Sequence, residues 1–142
     1  MSKVLFVCTA NIHRSRFAEE AFNYLCKIHN KNHHAFSAGL RVGDYSARKI
    51  YYPALKNLKA FNIVPLRPND LSKHIKDVEL EDYDKIICMD KVEHKPMVDS
   101  DPQFSNYNFE YWNITDIPKV DSDVSLPMCY KKVENLFNEM SS

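Results

Sequence analysis

Cys8 and Arg14 stand six positions apart, with Ser15 directly after the arginine, in the run Cys8-Thr9-Ala10-Asn11-Ile12-His13-Arg14-Ser15. A cysteine attacks as its thiolate, which a helix N-terminus and nearby cations favour. Backbone N–H groups of a short loop entering a helix can converge on one point and hold an oxyanion there. The planar fork of an arginine takes two oxygens of such an anion at once. These residue types at this spacing fit attack by the sulfur of Cys8 on a phosphate cradled by Thr9, Ala10, Asn11, Ile12, His13 and Ser15 and clamped by Arg14. Ser15 is suited to donate a hydrogen bond to the sulfur while capping the helix, and Asn11 to a left-handed position inside the loop.

A loop of this kind needs a rigid strand before it and a helix after it. Lys3 to Val7 is a short apolar run and reads as a strand buried on both faces, which points to a parallel sheet. Ser15 caps a helix from Arg16 to Ile28, in which Ala18, Ala21, Phe22 and Leu25 repeat at helical spacing. His34 to Ser37 reads as a second strand with Gly39 at its exit turn, and Pro53 to Phe61 as a helix. Asp84 to Met89 is a further buried strand, residues 90 to 98 a short helix interrupted near Pro96, and Phe109 to Trp112 a last strand. Ser125 caps a final helix with Pro127 in its first turn and Leu126, Cys129, Val133, Leu136, Phe137 and Met140 along one stripe. The alternation predicts one α/β domain over residues 1–142 with a parallel sheet. Such sheets bind ligands beyond the carboxyl ends of their strands, where Cys8 sits.

The chain has 142 residues, 44% of them apolar, and its 19 basic residues balance 19 acidic ones. A zero net charge argues against a nucleic-acid binder and against a polybasic membrane anchor. No apolar run is long enough to span a bilayer, and the first residues lack the pattern of a signal peptide, so a cytoplasmic protein without membrane insertion is expected. The four cysteines, Cys8, Cys26, Cys88 and Cys129, are unpaired in spacing and are expected as free thiols.

The stretch from Val4 to Glu19 closely resembles the start of the low-molecular-weight protein tyrosine phosphatases. Ser37-Ala38-Gly39 resembles that family's second-strand exit, and Tyr83-Asp84-Lys85-Ile86-Ile87-Cys88-Met89-Asp90 its third strand and following turn. The resemblance implies a four-stranded parallel sheet flanked by helices on both faces. It also implies two-step hydrolysis through a cysteinyl-phosphate, without metal or other cofactor. The substrate would be a phosphotyrosine protein or a small aryl or acyl phosphate. The general acid in that family is an aspartate followed by proline on a late loop. Here Asp116 in Asp116-Ile117-Pro118 is the candidate, with the proline one residue late, and Asp121 and Asp123 are rivals.

Several positions depart from the family's pattern. Ala10 stands where glycine is typical, and Arg16 replaces a helix-starting proline. His13 stands where many members carry a second cysteine, so peroxide should carry Cys8 up the sulfenic ladder with no disulfide to rescue it. His13 reads either as an aid to the thiolate or as a solvent-facing side chain. Leu66 occupies the place of a histidine that orders the loop through asparagine and serine, which predicts a thinner network around Asn11 and Ser37. No aromatic follows Asp116, leaving Tyr45, Tyr51, Tyr52 or Trp112 to wall the pocket, with Ile12 as one apolar side. Three rival functions follow: an arsenate reductase on the same fold, an oxyanion-binding module without turnover, and a metal site from Cys8, His13, His33 and His34. His29, His74 and His94 read as surface residues.

Overall fold

Val4, Leu5, Phe6 and Val7 are wholly buried, and they alternate between two separate cores. That pattern requires β1 (Lys3–Cys8) to lie inside the sheet with both faces covered. The structure is a computed structural model and describes residues 2–42, 48–117 and 119–141. β2 (His34–Gly39) and β3 (Lys85–Cys88) flank β1, and β4 (Phe109–Tyr111) lies outside β3, giving the order β2-β1-β3-β4 with every pairing parallel. The register sets Cys8 opposite Gly39 and Val7 opposite Cys88, so Cys8 ends the strand at the carboxyl edge of the sheet.

Three helices, α1 (Arg14–Ile28), α2 (Tyr52–Ala60) and the last helix of the chain, share the core built on Val4, Phe6 and Cys8. On the other face, Leu5 and Val7 pack with Ile75, Leu80, Phe104 and with Val98 of α3 (Lys91–Asp99). The last helix, α4, runs Ser122–Met140. Outer strand β2 is not left bare: buried Asn23 of α1 donates to the Ala35 carbonyl at 3.0 Å and accepts from the Ala35 N–H at 2.8 Å, as a neighbouring strand would. No helix of the described residues is long and apolar enough to cross a membrane.

The parallel sheet with helices on both faces agrees with the sequence reading, but three helix details differ. α1 begins at Arg14, so Ser15 lies inside it and does not cap it. His13 stands at the cap position, and its side chain makes no capping bond. α4 begins three residues before Ser125, because Asp121 accepts from the Asp123 N–H at 2.8 Å and supplies the cap, leaving Ser125 buried in the next turn. α3 continues through Pro96; the carbonyl left free belongs to Val92, an exposed residue whose backbone water can reach.

Candidate active site

In the loop after β1, the carbonyl oxygens of Cys8, Thr9, Ile12 and His13 are taken by N–H groups from outside the loop. Leu40 N–H donates to the Cys8 carbonyl and Arg41 N–H to that of Thr9, each at 2.9 Å. Tyr51 N–H donates to the Ile12 carbonyl at 2.6 Å, and Phe17 N–H to that of His13 at 3.0 Å. Among the described residues the N–H groups of Ala10, Ile12 and His13 find no partner, which leaves them for an anion or solvent. Asn11 makes the turn at φ 56°, its left-handed conformation as expected, while Ala10 needs no positive φ and replaces glycine without strain.

Sulfur sits on the floor of this turn. Cys8 Sγ is 2.9 Å from Ser15 Oγ and accepts from the Asn11 N–H at 3.3 Å. Asn11 Nδ2 donates to the same Ser15 oxygen at 2.9 Å, which leaves the Ser15 hydrogen free to point at sulfur. Arg14 is 1% exposed. Its Nη1 donates to the Ile114 carbonyl at 2.9 Å, and its Nη2 reaches Glu93 at 3.0 Å and Asp116 at 3.4 Å. Its buried Nε has no partner among the described residues, and Arg14 is one of the residues that line the cavity.

Glu93 is a site residue that the sequence reading missed. Its Oε2 accepts from Thr9 Oγ1, from Arg14 Nη2 and from the ring of His94, tying loop, arginine and α3 together. Burial raises its pKa, but the bonds from His94, Arg14 and Thr9 outweigh that and hold the carboxyl far below the usual carboxylate range. His94 is fully buried, against the expectation of a surface histidine. The Asp90 N–H donates to its Nδ1 at 3.1 Å, which places the ring proton on Nε2, facing Thr9 and Glu93. The available signal was position: Glu93 and His94 follow β3 at the same carboxyl edge as Cys8.

Of the three candidate acids, only Asp116 faces the loop. Its Oδ1 lies 3.2 Å from His13 Nδ1 and accepts from its neighbour Ile117 N–H at 2.9 Å. Burial pushes its pKa up, yet the His13 bond and the Arg14 charge win and the net direction is down. Asp121 caps α4, and Asp123 is occupied by Lys56 and Asn57. His13 does not face solvent: it is 5% exposed, bonded to Asp116 on one side and to Ser122 Oγ at 2.9 Å on the other.

These groups line a cavity of about 370 Å³ whose apolar sides are Ile12, Tyr51 and Ile117, with Arg48 also on its lining. Tyr51 stands edge-on to the His13 ring at 5.6 Å. Trp112 packs against Phe6 in the core, Tyr52 lies outside the lining, and Tyr45 lies outside the described residues. Ile117 and Arg48 were not anticipated. His33 and His34 lie at the start of β2, the opposite end of the sheet from Cys8, so the metal constellation does not assemble. The loop's outer support is not thin, as Leu66 suggested. Arg67 bonds Glu19 twice, and Ser37 donates to Glu19 at 2.5 Å. Arg16 is wholly buried and donates to the carbonyls of Arg67 and Asp70, and Lys73 N–H reaches Asn11 Oδ1 at 2.9 Å.

The sequence profile of the low molecular weight phosphotyrosine protein phosphatases matches residues 3–141. No curated protein matches the chain in sequence. Among solved structures, a low molecular weight protein tyrosine phosphatase from Streptococcus pyogenes superposes with TM-score 0.82 at 22% identity, covering 100% of this chain and 95% of that one. A YwlE mutant from Bacillus subtilis gives TM-score 0.80 at 18% identity, with both chains covered in full at 100%. An arsenate reductase from Archaeoglobus fulgidus gives 0.69 at 22% identity, covering 95% of this chain and 98% of that one. At such identities these likenesses are of fold. The match over residues 3–141 places the chain in the low molecular weight phosphotyrosine protein phosphatase family.

Proposed function

We propose that the chain hydrolyses aryl phosphate monoesters, phosphotyrosine foremost, through a phosphate ester on Cys8. The observation that carries this is the meeting, around one cavity, of Cys8 with its sulfur under the turn at Asn11, of Arg14, and of Asp116 3.4 Å from the Arg14 guanidinium. In the first step the Cys8 thiolate attacks phosphorus, the bond from phosphorus to the aryl oxygen breaks, and Asp116 gives its proton to that oxygen. In the second, water attacks phosphorus, the P–S bond breaks, Asp116 takes the proton, and phosphate leaves. Arg14 and the loop N–H groups hold the equatorial oxygens through both steps.

Arg14 and His13 keep Asp116 ionised in the free protein, so the proton must arrive with the substrate. A phosphate monoester carries its second proton up to about pH 6. The monoanion bound beside ionised Asp116 has the same proton count as the dianion beside the acid form, and binding shifts the proton once phosphate takes the Arg14 fork. Turnover of p-nitrophenyl phosphate is therefore expected to peak below neutrality, with kcat/KM falling about tenfold per pH unit well above pH 6. Cys8→Ser should abolish it. Turnover that survives in Cys8→Ser would remove the nucleophile and the proposal together.

Two neighbouring activities set the comparison. An arsenate reductase relay needs further reactive thiols near the nucleophile. Cys26, Cys88 and Cys129 are all buried, and burial pushes the thiols of Cys26 and Cys129 up to about 11 and about 12. YwlE is an arginine phosphatase. The apolar sides at Ile12, Tyr51 and Ile117 favour an aromatic ring over a guanidinium here. Side-by-side kcat/KM for phosphotyrosine and phosphoarginine tests that preference.

A further inference from the structure

His13 is buried between two partners that do not belong to its own loop. Nδ1 lies 3.2 Å from Asp116 Oδ1, and Nε2 lies 2.9 Å from Oγ of Ser122, the first residue of α4. Asp116 is already bonded by the Ile117 N–H and faces Arg14, so its remaining freedom is a swing away from the cavity. An ionised Asp116 can only accept, so the Nδ1 hydrogen is given to the aspartate, and the Ser122 hydroxyl, able to donate or accept, meets Nε2.

We infer that His13 is a positioning residue for the general acid: α4, through Ser122, fixes the ring so that Nδ1–H holds Asp116 over the leaving-group side of the cavity and stabilises the carboxylate formed when its proton departs. The inference rests on Asp116 being that acid. It makes Asp116 a stronger acid that is loaded over a lower pH range, because a bond to the ionised form favours ionisation. The groups facing this pair are few. Arg14 meets Asp116 directly, while Cys8, Glu93, Arg48 and Tyr51 share the cavity. Around His13 stand Tyr51, edge-on, and Asp121 and Asp123 on either side of Ser122, the latter paired with Lys56.

Asparagine and glutamine separate positioning from mere bulk. An asparagine amide nitrogen can stand where Nδ1 does, and a glutamine nitrogen where Nε2 does. Single-turnover hydrolysis of saturating phenyl phosphate, a poor leaving group, is to be followed against pH in wild type, His13→Asn, His13→Gln and Asp116→Asn. In His13→Gln the basic limb should move up by about half to one pH unit, with a slower plateau, because one charge-assisted bond to a part-exposed carboxylate is lost. In His13→Asn the limb should stay in place. Equal limbs in the two His13 variants overturn the inference. Full phenyl phosphate turnover in Asp116→Asn instead removes the acid assignment on which it rests. A second readout needs no variant: ¹⁵N shifts of the wild-type His13 ring should report hydrogen on Nδ1, and a ring protonated only on Nε2 would overturn the inference even if a variant failed to fold.

Discussion

Asp116→Asn is the sharpest perturbation of the proposed chemistry, because it changes the proton and the charge with little change of shape. The asparagine oxygen can still accept from His13 Nδ1, 3.2 Å away, and from the Ile117 N–H at 2.9 Å. Arg14 keeps the Ile114 carbonyl and Glu93 as acceptors and loses only its 3.4 Å partner. The guanidinium therefore stays anchored, and what disappears is the ability to protonate a leaving oxygen. General acids contribute about 10²–10⁴-fold, equivalent to roughly 3–5 kcal/mol of barrier. A phenolate with the proton affinity of tyrosine, near pH 10, needs nearly all of that help, whereas a dinitrophenolate needs almost none.

The assay is kcat/KM for a series of aryl phosphates of graded leaving-group acidity, with inorganic phosphate as inhibitor. The variant should lose about two to four decades on phenyl phosphate and little on the dinitrophenyl ester, so its leaving-group slope steepens. Phosphate should inhibit it several-fold more tightly, since a carboxylate that repels a bound dianion is gone. A damaged loop would weaken both turnover and inhibition. Phosphotyrosine turned over at the wild-type rate, or an equal loss on every ester, refutes the assignment of the acid.

Glu93→Gln should cost about 1–3 kcal/mol of folding stability at pH 7, because a buried cluster loses its charge-assisted bonds. The folded-state pKa of Glu93 lies below the reference value of 4.5, so this contribution is complete above that value and fades as pH falls beneath it. Denaturant midpoints of the two proteins should converge on acidification, and a gap that widened would contradict the network. Gly39→Ala would place a Cβ 2.5 Å from Val42 Cγ2, 2.7 Å from the Thr9 carbonyl and 3.0 Å from the Asn11 nitrogen. About 1–3 kcal/mol of stability should be lost, together with a fall in turnover as the loop backbone shifts; melting curves and kcat measured together check this. Peroxide should oxidise Cys8 to sulfenic and then sulfinic acid before any other thiol, because Cys8 lines the cavity and its sulfur accepts from the Asn11 N–H, whereas the other three are buried away from that cavity. Mass spectrometry that found Cys8 in a disulfide would refute it.

What the sequence made legible was local. The strand, the loop and the helix form one continuous run, and the bond of Cys8 to Ser15 spans seven residues. Residue type and short spacing are enough to find such a unit. Glu93 lies 79 residues from Arg14, and Ser122 lies 109 from His13. Nothing in the local pattern of Lys91-Val92-Glu93-His94 tells a solvated helix turn from a buried clamp; that depends on β3 ending beside β1. The choice of Tyr51 among four candidate aromatics for the pocket wall stayed open in the sequence for the same reason. Tyr51 reaches the cavity because its N–H is bonded to the Ile12 carbonyl, a contact between segments that share no pattern.

The first helix shows where apolar periodicity misleads. Ala18, Ala21, Phe22 and Leu25 mark the face on the core, yet Arg16, Glu19, Glu20 and Asn23 are also buried. Their burial is costly where a charge or lone pair goes unmet, and all four find partners in the chain beyond β2 or in β2 itself, with only the buried Nε of Arg16 left unpartnered among the described residues. Glu20 accepts from the N–H groups of Leu66 and Arg67 at 2.9 and 3.1 Å, and Arg16 donates to the carbonyls of Arg67 and Asp70 at 2.8 and 3.0 Å. The segment so fixed ends at Lys73, whose N–H bonds Asn11 and whose carbonyl takes the Gly39 N–H. The polar side of α1 thus holds the left-handed turn of the loop from behind. A charged helix face of this kind reads as solvated in sequence and is buried only because a loop lies across it. The place of the missing histidine is therefore filled by several residues that no single-position comparison would pair with it.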